Sequence, residues 1–163
     1  MATDSPSTDK HAVKAWLSVV RAYHLCDAVM AARLATLGVR TAEHEILANL
    51  VREPGISQQA LAARCFTAKS HISALLRTME EHGWVRRDAD PVDARARRLY
   101  VTRAGEAIAR RTLAVQAEIV QAMTKAAPSK ELAFIESTMN RVSERLEALV
   151  DTGVSSRRKP GST

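Results

Sequence analysis

Apolar residues recur every three or four positions through most of the chain. Val13, Trp16, Leu17, Val20, Tyr23, His24, Met30, Leu34 and Leu37 trace a first helix of about seven turns that ends at Gly38. A second helix starts with Thr41 as its N-cap and carries Glu43 and Glu45 in its first turn. It points Ile46, Leu47 and Leu50 inward until Pro54–Gly55 stops it. Ser57 caps a short third helix that buries Leu61 and Ala62, and a tight turn follows at Cys65–Phe66–Thr67. A fourth helix buries Ile72, Leu75, Leu76 and Met79 and ends at Gly83. Two short helices joined by a tight turn form a helix-turn-helix pattern.

At Trp84 the period drops to two. Residues 84–87 and 98–101 alternate around a polar tip containing Asp90, Pro91 and Asp93, which predicts two antiparallel strands, a hairpin wing. Thr102 caps the next helix, with Glu106 four residues on and Gly105 tolerated near its start. That helix carries Ile108, Thr112, Val115, Ile119 and Met123. After a break at Pro128–Ser129 the last one carries Leu132, Ile135, Met139, Val142, Leu146 and Leu149. Three long amphipathic helices have more apolar face than a compact winged helix covers. A homodimer with coiled-coil-like packing of the terminal helices is the expected solution, and a monomeric bundle the alternative. The expected fold is therefore mainly α: a winged helix-turn-helix with a two-stranded β-wing and long N- and C-terminal dimerisation helices. The expected division is a disordered tail at 1–9, dimerisation helices at 10–37 and 104–150, a winged helix-turn-helix at 41–103, and a basic flexible tail at 151–163.

Composition narrows the function. In 163 residues, 46% hydrophobic but only 4% aromatic, the core must be built of Ala, Leu and Val. A net charge of +6 permits nucleic acid or an anionic membrane as partner. No apolar run approaches the ~18 residues of a membrane span, and MATDSPSTDK lacks the apolar stretch of a signal peptide. Two cysteines make no disulfide framework, so the expected location is the cytoplasm, with no membrane partner. No glycine-rich phosphate loop, nucleophile elbow or zinc-protease helix is present, which points away from an enzyme. Asp90 and Asp93 stand among arginines on an expected exposed tip, ion-paired and ill suited to general acid work. Glu43, His44 and Glu45 fall on different helix faces, and no His or Cys follows residue 82. No metal or cofactor is expected.

With its apolar residues inward, the fourth helix turns Lys69, Ser70, His71, Ser73, Ala74 and Arg77 outward. Ser70, Ser73 and Arg77 make a small polar face with a cation at its end. Such a face suits the major groove, where small side chains permit close approach and Arg reads guanine.

The chain resembles the MarR family of bacterial winged helix-turn-helix transcriptional regulators. The resemblance rests on Asp93-Ala94-Arg95-Ala96 in the wing and on Val101-Thr102-Arg103-Ala104-Gly105 behind it. The end of the recognition helix, from Leu75 to Val85, also fits. Ala74 and Ala94 stand where the family commonly carries basic residues. The resemblance implies a homodimer that binds a pseudo-palindromic operator in double-stranded DNA, usually as a repressor, and is released by a small ligand or by cysteine oxidation. Ligands would lodge between the dimerisation helices and the DNA-binding lobe, where Trp16, Tyr23, His24, His44 and Arg111 would suit a planar organic anion or phenolic compound. Cys26 and Cys65 are the redox candidates, and Cys65 in the turn before the recognition helix is the better placed. In the wing, Arg95 is expected to enter the minor groove, with Arg97 in reserve, while Asp93 holds the tip by pairing with Arg86, Arg87 or Arg97. Two other classes stand beside this one: an architectural DNA-binding protein without ligand control, and a winged-helix module that binds another protein.

Overall fold

The computed structural model describes residues 9–65, 69–90 and 97–156. The chain divides into two compact units, the first ending at Ile119 and the second beginning at Val120. The elements run α1 (Lys10–Ala35), α2 (Thr41–Arg52), β1 (Ile56–Ser57), α3 (Gln58–Arg64), α4 (Lys69–Glu81), β2 (Val85–Ala89), β3 (Arg97–Val101), α5 (Arg103–Thr124) and α6 (Ser129–Ser156). The predominance of helix matches the periodicity.

Local chemistry sets the boundaries. Asp9 caps α1 by accepting from the His11 N–H at 2.9 Å. At its other end Gly38 adopts φ +70°, and the Val39 N–H returns to the Leu34 carbonyl at 3.1 Å. The N-cap of α2 is Arg40, not Thr41 as expected. Arg40 is extended, its carbonyl takes the first helical bond from the His44 N–H, and the Glu43 carboxylate reaches back to its N–H at 2.9 Å. Glu43 also pairs with the Arg40 guanidinium at 2.5 Å and is only 2% exposed. Burial pushes the Glu43 carboxyl up, but the Arg40 bonds and charge outweigh it and hold it below the ordinary range. Ser57 caps α3 as expected, accepting from the Ala60 N–H at 3.1 Å.

The wing has three strands rather than two. β1 pairs antiparallel with β3, Ile56 opposite Leu99, so the order is β1-β3-β2. β2 and β3 pair from Val85↔Val101 to Ala89↔Arg97, each one residue longer than the expected run: β2 starts one residue later and ends two later, and β3 starts one earlier. Inward residues of α2, α3, α4 and the sheet form one core that includes Ile46, Leu47, Leu50, Leu61, Leu76 and Leu99. Each buried Leu or Ile contributes roughly 1.5–3 kcal/mol of transfer free energy, so this cluster is what holds α4 at a fixed angle to the wing.

Thr102 and Gly105 close the wing onto α5. The Thr102 N–H donates to the Trp84 carbonyl at 3.0 Å and its hydroxyl to the Gly83 carbonyl at 2.5 Å, while the Gly105 N–H donates to that hydroxyl at 3.0 Å. A Cβ on Gly105 would lie 1.9 Å from the Trp84 carbonyl oxygen. Gly105 is therefore required by close backbone approach, not merely tolerated.

The long helices keep apolar side chains in the open. On α1 Trp16 is 62% and Tyr23 66% exposed, and Leu34 is the buried residue of that helix. Ile135, Val142 and Leu146 on α6 are exposed too, and Phe134 is 68% exposed. α6 reaches Ser156, so 151–156 of the expected tail is helical; residues 1–8 and 157–163 lie outside the described set.

Candidate nucleic-acid interface

α4 presents the expected face. Ile72, Leu75, Leu76 and Met79 are buried, while Ser70, His71, Ala74 and Arg77 are exposed. Among the described residues no carboxylate pairs with Arg77. Ser73 is half-buried and accepts a hydrogen bond from the side-chain amide of Gln58, the first residue of α3. Sequence reasoning missed Gln58, because nothing local ties the start of α3 to the middle of α4. The side chain of Lys69 lies outside the described set.

Arg86 and Arg87 of the wing have carboxylate partners among the described residues. Asp93 and Arg95 lie outside the described residues, so the pairing and groove entry assigned to them do too. Arg86 pairs with Asp88 and stacks over the Tyr100 ring, 4.5 Å from its centroid. Arg87 Nε sits 3.0 Å from Glu80 of α4, a charge pair without hydrogen-bond alignment. Arg97 is exposed at the start of β3. Arg98, which the sequence did not single out, donates to Asp90 at 2.5 Å and to the Gly55 carbonyl at 3.0 Å. The Asp90 side chain is 8% exposed, which corrects its expected place on an open tip: it is buried against Arg98, whose guanidinium ties the wing to the α2–β1 turn.

Behind the helix-turn-helix lies a cleft of about 710 Å³, lined among others by Met30 of α1, His44, Glu45, Asn49 and Arg52 of α2, and Gln116 of α5. Of the five residues expected at an effector site, only His44 lines it. Trp16, Tyr23 and His24 are exposed on α1, and Arg111 is exposed on α5. Their chemistry and helix membership suit an effector site, but which face of a helix meets a cavity depends on tertiary packing. His44 is 6% exposed and its Nδ1 has no hydrogen-bond partner among the described residues. Burial holds its pKa below the ordinary value, with the neighbouring Gln116 side chain opposing the shift.

Cys65 is a poor redox candidate. Its thiol is pushed up to about 11 by burial and by the Glu45 carboxylate, and it receives the Asn49 amide at 3.9 Å. The thiolate is the reactive form. Cys26 is half-buried on α1 and in no disulfide. Among the described residues no group of three His, Cys, Asp or Glu is placed to hold a metal ion, and no helix is long and apolar enough to cross a membrane.

A recognition-type helix followed by a hairpin wing defines the class as winged helix-turn-helix. The model of the MarR family matches residues 37–96, the winged helix-turn-helix region. The transcriptional regulator HosA of Escherichia coli O111:H- is 35% identical over 66 residues, 40% of this chain and 49% of HosA. The match thus spans about half the length of that curated relative. AbsC, a MarR family transcriptional regulator from Streptomyces coelicolor, superposes with a TM-score of 0.82 at 20% identity, over 88% of this chain and 99% of AbsC. Sco3205, a MarR family transcriptional regulator of the same organism solved in complex with DNA, gives 0.78 at 24%, over 88% and 93%.

Proposed function

We propose that this chain is a transcriptional repressor that binds a pseudo-palindromic operator as a homodimer in the cytoplasm. The observation that carries it is the outward face of α4, with Ser70, His71, Ala74 and Arg77, which has no carboxylate partner among the described residues, open beside an arginine-rich wing. Small residues let the helix enter the major groove and the Arg77 guanidinium matches guanine. The DNA complex of Sco3205 supports the same use of this fold. Two copies would cover the apolar faces of α1 and α6, and two-fold symmetry would set half-sites about one helical turn apart. The dimerisation helices remain those expected at 10–37 and 104–150.

Release is assigned to a small ligand in the α1–α2–α5 cleft rather than to cysteine oxidation, because Cys65 is held as a thiol. Nδ1 of His44, without a partner among the described residues, would accept a hydrogen bond from a hydroxyl, and Arg52 would meet a carboxylate. A phenolic or aromatic acid fits both.

Footprinting on DNA flanking the chain's own gene, across a salt series, tests the reading. A protected inverted repeat supports it. Equal affinity for random and promoter DNA would instead point to an architectural protein, and absence of binding at low salt to a protein-interaction module.

A further inference from the structure

We infer that Gln58 of α3 is a specificity-determining positioning residue: its amide fixes Ser73 of α4 as a hydrogen-bond donor toward the base it faces. The inference rests on the proposed DNA binding through α4 and adds what that surface selects for.

A serine hydroxyl has one proton and two lone pairs, so an unconstrained Ser donates to a keto group or accepts from an amino group with little preference. Here the Gln58 side-chain N–H donates to the Ser73 oxygen, which occupies a lone pair and turns the hydroxyl proton away from α3. Among the described residues that proton has no acceptor: the carbonyl bonds that other hydroxyls of these helices make, such as Thr78 to Ala74 and Thr112 to Ala109, have no counterpart at Ser73. Ser73 stands between Ser70 and Arg77 on the outward face, is half-buried and is bonded to Gln58. A donor held in one direction on that face seeks an acceptor. In the major groove, guanine offers O6 and N7, thymine O4 and adenine N7 as acceptors, whereas cytosine presents only the N4 donor. The arrangement therefore discriminates against cytosine at one position of each half-site. Gln58 does this without touching the DNA.

The test enriches a pool of random-core duplexes with the full-length wild-type chain and with Ser73→Ala, Gln58→Leu and Gln58→Glu. Wild type should deplete cytosine at one position per half-site. Ser73→Ala and Gln58→Leu should flatten the preference at that same position by roughly fivefold, the worth of one ordinary hydrogen bond, and leave the other positions unchanged. Gln58→Glu replaces the donor by an acceptor, so the Ser73 proton turns toward α3 and the preference should move to amino bases. Melting temperatures within a few degrees of wild type establish that the variants fold, and the close isostere Gln58→Glu covers any failure of Gln58→Leu. The inference is overturned if Gln58→Leu and Gln58→Glu keep the wild-type motif, or if they weaken every sequence equally. If wild type enriches no motif at all, the proposed operator binding fails and takes this inference with it.

Discussion

Gly105→Ala sets two physical effects against each other. On helix propensity alone the change favours the folded state by roughly 0.8–1 kcal/mol, and Gly105 lies in the first turn of α5. The geometry opposes it. The new Cβ would sit 1.9 Å from the Trp84 carbonyl oxygen, whereas a carbon and a carbonyl oxygen approach to about 3.3 Å. The carbonyl would have to retreat by roughly 1.4 Å, taking that gap from the 1.9 Å above. It already accepts the Thr102 N–H at 3.0 Å, and a shift of that size breaks the bond. Overpacking against backbone costs about 1–3 kcal/mol and the lost hydrogen bond about 1 more, so steric repulsion exceeds propensity. A net loss of about 1–3 kcal/mol is expected, which lowers Tm by roughly 2–12 °C in a chain of this size. Thermal and urea melts of both proteins measure it. Gly83→Ala is the comparison: φ there is +70° with nothing near the Cβ position, so only the ~1–2 kcal/mol backbone penalty applies. A Gly105→Ala protein as stable as wild type would refute the reasoning.

Three further outcomes are expected. Because burial raises the Cys65 thiol to about 11, iodoacetamide at pH 8 should label Cys65 in the folded protein on the order of a hundredfold more slowly than in urea; peptide mass spectrometry showing equal rates would contradict this. The folded pKa of His44 is depressed, so the neutral ring stabilises the fold above the ordinary His pKa of about 6.5, and that stability is lost as pH falls through the folded value. Wild type should accordingly lose more Tm between pH 7 and pH 5 than His44→Gln does, and parallel pH curves would count against it. Arg77→Ala should weaken operator binding by about 1–3 kcal/mol and reduce the salt slope by about one, read by fluorescence anisotropy; unchanged binding at every salt would remove Arg77 from the interface.

Helices were legible because their buried residues repeat with the helical period and end at Gly38 and Gly83, where positive φ suits glycine. β1 was not legible. Two residues show no period, and Ser57 advertises its capping role while also pairing with Arg98. At the start of α2, Thr41 has the side chain expected of a cap, but Glu43 decided the matter by bonding to the Arg40 N–H. The recognition face followed from periodicity alone, since it is whatever α4 does not bury. The cleft did not, because it joins residues of α1, α2 and α5 that lie up to 86 positions apart, from Met30 to Gln116. Asn49 was the nearest to a readable signal, a polar residue inside an apolar stretch of α2.

The bonds around Thr102 bear on movement. Its N–H and hydroxyl grip the last residues before β2, and Gly105 brings α5 into backbone contact with Trp84. The end of α4, the root of the hairpin and the first turn of α5 therefore have no slack between them. A tilt imposed on the start of α5 must carry the helix and the wing together, as a handle carries a two-pronged fork. Regulation acting there would change how far the prongs of two such forks stand apart, while leaving the reach of each prong unchanged.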